Sequence, residues 1–222
     1  RGTAVNNDGS AKLSYTAPSV DGQTEAIAEA LAIAGVDPAT VGFVEAHGTG
    51  TEIGDPVEVT ALSSAFNTDA ANRQFCALGS VKSNIGHLDA AAGIAGLIKA
   101  ALVVENGQIP PTLHFDRPNP KIDFSQTPFF VNASLREWRA EVPRRAAVNS
   151  LGVGGTNAHA VLEEAPALAP ASQDDGQWEI LPLSARTAKS LKSQVDQYTR
   201  FIGKIGRATS ELQSRFGISY AV

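Results

Sequence analysis

Three features of the sequence predict an α/β fold. Strand-like and helix-like runs alternate through the first hundred residues as strand, helix, strand, helix, strand, helix. The runs VGFVEAH and FCALGSV are short and apolar, the pattern of buried strands. His47, Lys82 and His87 fall just beyond predicted strand ends, where sites collect in parallel sheets layered by helices.

The elements follow in order. Residues 3–8, TAVNND, read as a short strand entering a DGS turn. An Ala-rich helix follows over residues 23–34, with Ile27, Leu31 and Ala34 on its inner face and Gly35 placed to end it. VGFVEAH is a strand that finishes at His47. After the loop GTGTEIG, a helix opens with Asp55 as N-cap, Pro56 at the first helical position and Glu58 completing a capping box, and runs to about Phe66. The polar loop NTDAANR leads into the strand FCALGSV. The stretch LGSVKSNIGHLDAAAGIAGLIK then reads as a strand end, a polar turn and a helix over residues 88–105. Only Asp89, Lys99 and Glu105 are charged in that helix, so burial on most sides is expected.

Pro-rich residues 106–127 run extended over the surface. PFFVNAS is a strand, and RAAVNS and AHAVLEE are two more, joined by the glycine turn LGVGGT. Beyond Glu164 the composition shifts to Ala and Pro, marking a linker. WEILPLSA reads as a strand and residues 187–204 as an amphipathic helix, so a second, small α/β unit starts near Trp178.

At 222 residues the chain exceeds one domain of the usual ~100–200 residues and can bury a sizeable core. A net charge of -5 with scattered Lys and Arg gives no basic stripe, which argues against a nucleic-acid partner. The single cysteine, Cys76, leaves no internal disulfide framework and fits a cytoplasmic setting. The most apolar run, residues 85–104, is broken by His87, Asp89 and Lys99, so a buried helix is favoured over a membrane span. No signal-peptide pattern is visible. The sequence has no Met and opens on RGTAVNNDGS, which reads as a piece of a longer protein.

His47 and His87 lie in matching loops, AHGTG and IGHLD. Two neutral imidazoles converging on one point can donate hydrogen bonds to a developing oxyanion or enolate. Capping histidines are the competing reading. A metal site with Asp55, Glu58 or Asp89 is a third, although no metal-ligand spacing such as HExxH supports it. Lys82, the one cation of its turn, can orient a carboxylate, shape the local field or be an ordinary surface lysine, and Glu58 can face it across the sheet end. The loop GVGGT offers consecutive backbone N–H groups for an oxyanion hole, against the simpler reading of a tight hairpin. His114 and His159 read as structural, and Cys76 as a core thiol rather than a nucleophile.

Taken in order, EAHGTGTEIGDPVE, LGSVKSNIGHLDAAAGIAGLIK and NSLGVGGTNAHAVLEE resemble the C-terminal half of a ketosynthase (beta-ketoacyl synthase) from a modular type I polyketide synthase. WEILPLSARTAKSL resembles the start of the ketosynthase-to-acyltransferase linker. The resemblance implies three regions: residues 1–165 as the C-terminal half of the synthase domain, 166–177 as an Ala/Pro-rich linker, and 178–222 as the start of the linker domain. It further implies a thiolase-like fold of α-β-α-β-α layers, in which two similar halves pair to make one catalytic domain.

In that family a cysteine of the N-terminal half carries the acyl chain. A malonyl-type unit on an acyl carrier protein decarboxylates, and the carbanion attacks the thioester. By motif, His47 and His87 would bind the malonyl thioester carbonyl, and Lys82 would be the active-site lysine paired with Glu58, with Asp55 in support. Thr49 and Thr51 would hold the phosphopantetheine arm, and the Val153 N–H would complete the oxyanion hole.

No cofactor would bind directly, since the phosphopantetheine belongs to the acyl carrier protein. The other implied partners are the N-terminal half, the adjacent acyltransferase domain and a second copy in a homodimer. Leu151 and Val153 stand where related enzymes often have Phe followed by Phe or Ile, and Cys76 lies outside any nucleophile motif. A truncated scaffold fragment, or another thiolase-fold condensing enzyme such as a fatty acid synthase, are the alternatives.

Overall fold

Side chains alternating in and out of short strands build one six-stranded sheet with helices on both faces. The structure, a computed structural model, describes residues 1–10, 12, 18–66, 72–140, 142–166 and 181–208. The chain divides into two units, Arg1–Pro166 and Ala167–Val222. The first contains β1 (Gly2–Asn7), α1 (Val20–Ala34), β2 (Phe43–Glu45), α2 (Gly54–Phe66), β3 (Cys76–Gly79), α3 (Lys82–Ile85) and α4 (Ala92–Asn106). It continues with β4 (Gln108–Ile109), β5 (Phe129–Val131), β6 (Arg136–Glu137), β7 (Arg145–Leu151) and β8 (Thr156–Glu163).

The sheet order is β1-β8-β7-β2-β3-β5, and β4 pairs with β6 as a separate ribbon. β2 is parallel to both β3 and β7, and β3 is parallel to β5. β8 is antiparallel to both β1 and β7, so the sheet is mixed, with a hairpin at the glycine turn. The glycine turn between β7 and β8 is too short for a crossover, so those strands fold back as a hairpin.

The period of two sorts the core. Val44, Leu78 and Ala147 pack with Ile27, Leu31, Leu62 and Phe66 of α1 and α2. Phe43, Ala77 and Val148 pack on the opposite face with Ala100, Val103 and Val104 of α4. α1 starts at Val20 because the Ser19 hydroxyl accepts the Gly22 N–H at 3.2 Å, and it ends where Gly35 turns left-handed at φ 61°.

Two expectations are corrected. The capping box of α2 does not form: the Thr51 hydroxyl accepts the Gly54 N–H, Asp55 accepts the Gly50 N–H, and Glu58 turns inward to the end of β2. Two backbone N–H groups at the sheet mouth need a partner there, and one carboxylate satisfies both. α4 begins at Ala92, after a 3-10 turn at Asp89–Ala91, and only one of its faces is covered within the described residues. Gly93 and Gly96 let that face approach the sheet closely, since a Cβ at Gly93 would stand 2.7 Å from Ser150 Oγ. On the outer face Ile94, Ile98 and Leu102 are 55%, 55% and 51% exposed. The helix is apolar around most of its circumference, and the sheet occupies one side of it.

In the second unit α5 (Ala188–Ala208) is capped by the Thr187 hydroxyl, which accepts the Ser190 N–H at 3.1 Å. Residues 181–185, the tail of the expected strand WEILPLSA, carry no regular secondary structure, and residues 178–180 lie outside the described residues. Residues 67–71 of the loop NTDAANR and 167–177 of the linker also lie outside them. Among the described residues no helix is long and apolar enough to cross a membrane.

Candidate active site

Parallel neighbours release their chains on the same side of a sheet. β2 and β3 are paired with Glu45 opposite Gly79, and the ladder extends one step further as the Ala46 N–H donates to Gly79 O at 2.8 Å. The loop after β2 carries His47. The segment after β3 passes through α3, with Lys82 at its first position, and on to His87. Gly48 makes their close approach possible: its φ is 47°, and a Cβ there would lie 2.9 Å from Ser80 Cβ. The His47 and His87 rings meet edge to face, with centroids 5.3 Å apart at 83°.

Hydrogen bonds fix which nitrogen of each ring faces outward. His47 Nδ1 accepts the Leu151 N–H at 3.4 Å, and His87 Nδ1 accepts the Asp89 N–H at 3.0 Å. A ring nitrogen that accepts carries no proton, so each imidazole is left with Nε2–H as the donor it has to offer. Burial, then the neighbouring Lys82 charge, then His87, push the His47 pKa down to about 4. At neutral pH His47 is therefore a hydrogen-bond donor and not an acid.

Two glutamates hold the loops. Glu58, buried, accepts the His47 N–H at 2.7 Å on Oε1 and the Gly48 N–H at 2.9 Å on Oε2. The Asn149 side-chain amide adds a third bond, to Oε1 at 3.0 Å. Burial raises the Glu58 pKa, and the Gly48, Asn149 and His47 donors oppose that rise. Glu45, at the end of β2, accepts the Val81 N–H and pairs with Lys99 Nζ of α4 at 2.8 Å. Burial likewise raises its pKa against the pull of Lys99.

Lys82 is half-buried, and desolvation lowers its pKa against the raising influence of Glu58 and Glu45. The expected Lys82–Glu58 pair is thus an electrostatic neighbourhood. No salt bridge of Lys82 occurs among the described residues, and the Glu58 oxygens hold three N–H donors.

Thr49 and Thr51 are exposed on the same loop with hydroxyls 3.3 Å apart. Asp55 braces that loop through the Gly50 N–H at 3.0 Å. Val153 sits 82% exposed at the tip of the β7–β8 turn, where Gly154 and Gly155 have φ of 107° and 96°. The turn reaches the histidines through Leu151. Cys76 is fully buried at the far end of β3, and burial holds its thiol well above the ordinary range, as a core residue.

A cavity of about 740 Å³, lined by Gly48 and Ser80 but by neither His47 nor His87, opens between the Thr49 loop, Lys82 and the Pro-rich segment, with Thr112, His114 and Phe124 in its wall. Among the described residues no three potential metal ligands gather, so Asp55, Glu58 and Asp89 do not make a centre with the histidines.

Asn149, His159, Glu45 and Lys99 are not candidates from the sequence. A signal exists in the two strands that flank LGVGGT. Asn149 follows the apolar run Ala146–Val148 and His159 stands between Ala158 and Ala160, and pairing the strands about the turn places those two opposite each other.

The profile of the beta-ketoacyl synthase C-terminal domain matches residues 1–116, and that of the ketoacyl-synthetase C-terminal extension matches residues 118–211. The chain is 52% identical over 195 residues to a phenolphthiocerol/phthiocerol polyketide synthase of Mycobacterium tuberculosis, covering 86% of this chain and 13% of that protein. It is 43% identical over 208 residues to polyketide synthase PksN of Bacillus subtilis, covering 92% of this chain and 4% of that one. Among solved structures, the ketosynthase from module 1 of the bacillaene synthase of Bacillus amyloliquefaciens superposes with a TM-score of 0.73 at 42% identity, covering 92% of this chain and 37% of that chain. The module 6 ketosynthase of the Bacillus subtilis bacillaene synthase gives 0.71 at 39% identity, covering 91% and 35%. The chain therefore spans about a third of a solved ketosynthase, and the likeness carries its thiolase-like α/β fold.

Proposed function

The chain belongs to the beta-ketoacyl synthase family, within the ketosynthases of polyketide synthases, and on that premise we propose that it supplies the decarboxylating wall of a condensing site. The observation that carries this reading is the pair of Nε2–H imidazoles, each with Nδ1 occupied by a backbone N–H and the two rings 5.3 Å apart.

The substrate of this wall is a malonyl-type thioester on the phosphopantetheine of an acyl carrier protein, the arm lying along Thr49 and Thr51. The bond from the α-carbon to the carboxylate breaks and carbon dioxide leaves. The electron pair spreads onto the thioester oxygen, where His47 and His87 donate. The α-carbon then forms a bond to the carbonyl of an acyl chain held as a thioester on a cysteine outside this chain. That cysteine leaves as thiolate, and the Val153 N–H serves the oxyanion formed in between. Burial, and behind it the Lys82 charge, keep His47 neutral. Cys76 takes no part, because it is buried and protonated.

Because the site needs an external nucleophile, the N-terminal half of the synthase domain is the first partner. The uncovered stripe Ile94, Ile98 and Leu102 on α4 is a surface for it. A neighbouring acyltransferase domain and a homodimeric arrangement complete the reading.

The test is to supply the N-terminal half and malonyl carrier protein and to follow acylation and condensation separately. His47→Ala and His87→Ala are each expected to lower condensation by about 100-fold or more while leaving acylation of the cysteine within a few-fold. Acylation without condensation in the unaltered protein would instead identify the chain as a scaffold piece.

A further inference from the structure

His159, in the middle of β8, is a fully buried titratable residue with no task in the reaction just described. It stands opposite Asn149 in the β7–β8 register, with Nδ1 2.6 Å from Asn149 Oδ1. The Asn149 amide nitrogen donates to Glu58 Oε1 at 3.0 Å, so its oxygen is left to accept. The proton between the two residues must then sit on His159 Nδ1. The other ring nitrogen, Nε2, is buried without a partner among the described residues. Burial also pushes the His159 pKa down to about 3, which keeps the ring neutral.

An orphaned buried nitrogen destabilises a fold, and an aliphatic side chain in its place would not carry that cost. What the histidine contributes is a single directed bond. From Nδ1–H the line runs through Asn149 to Glu58, and from Glu58 to the His47 and Gly48 N–H groups. Were Asn149 to rotate its amide, its oxygen would face the Glu58 carboxylate, and the Nδ1–H prevents this.

We propose that His159 is a positioning residue: through Asn149 it locks the Glu58 carboxylate that fixes the His47–Gly48 backbone and so aims the His47 ring. The proposal rests on the reading of His47 as a donor to the enolate, and its tests separate the two.

The first measurement needs no activity. In the chain labelled with 15N and 13C histidine, the His159 ring should show a protonated Nδ1 and a bare Nε2. A protonated Nε2 overturns the proposal. The second compares His159→Asn, whose amide nitrogen can occupy the Nδ1 position, with His159→Leu, which has no donor. The His47 and Gly48 backbone amide resonances should move in the leucine variant and stay near their original positions in the asparagine variant. Equal shifts in both would show that His159 only fills space.

In the complete ketosynthase containing this chain, His159→Leu should lower kcat for condensation by about 10- to 100-fold with KM for malonyl carrier protein and cysteine acylation nearly unchanged. His159→Asn should recover most of that loss. Parallel loss of acylation, or no recovery, overturns the positioning role. If His47→Ala leaves condensation intact, the decarboxylation reading fails, while the tautomer and the amide shifts still decide what His159 does to Glu58.

Discussion

The two histidines come to offer the same donor, Nε2–H, by different means. His47 is partly buried beside Lys82, whereas His87 is exposed and has its tautomer set by the Asp89 N–H. Lys82 ranks behind burial among the causes that depress the His47 pKa. Lys82→Met should therefore raise that pKa from about 4 but leave it short of the ordinary 6.5, since burial persists. The sign follows from charge: removing a cation lets the imidazolium form more readily. Titration of the His47 ring by NMR in the unaltered and variant chains checks it, and an unmoved or lowered value would remove Lys82 from the account of His47. The histidines and Lys82 are legible in the sequence because each stands in a polar loop between apolar elements. Asn149 and His159 are hidden because their roles exist only once β7 and β8 are paired.

At the scale of elements, α1 shows two uses of glycine that stability measurements can separate. Gly35 ends the helix at φ 61° with open space around it, so Gly35→Ala meets only a conformational penalty of about 1 kcal/mol. Gly2 in β1 lies under the same helix, where a Cβ would stand 2.5 Å from Ala30 O and 2.6 Å from Ala34 N. Both are backbone atoms that cannot rotate away. Gly2→Ala is expected to cost about 1–3 kcal/mol, as overpacking does, and to shift the urea midpoint further than Gly35→Ala. The reverse order would mean that β1 and α1 part easily.

Helix starts and stops are only partly readable from the sequence. Gly35 ends α1 as its position implies, because a left-handed terminus is a local requirement. Glu58 carries the residue type of a capping box, yet it answers to His47 and Gly48, groups that no local pattern couples to α2. The outer face of α4 escapes a sequence reading for a related reason. Apolar composition shows that a helix is meant to be covered, and it cannot show by what.

For the whole molecule, that outer face makes the chain's behaviour depend on its company. Ile94, Ile98 and Leu102, with Ile85 and Leu135 also exposed, give an apolar surface of the kind that drives association. Replacing Ile94, Ile98 and Leu102 together by lysine should leave the fold intact and reduce self-association of the chain in sedimentation experiments. The same change should abolish pairing with an added N-terminal half. Continued pairing would place that half elsewhere.

Every bond described from Glu45, Glu58, Lys99, Asn149 and His159 to the two loops closes within residues 45–159. Recombination that exchanges sequence outside that span leaves those bonds in place. The donor pair is in that sense a transferable cassette, whose aim is inherited with the segment.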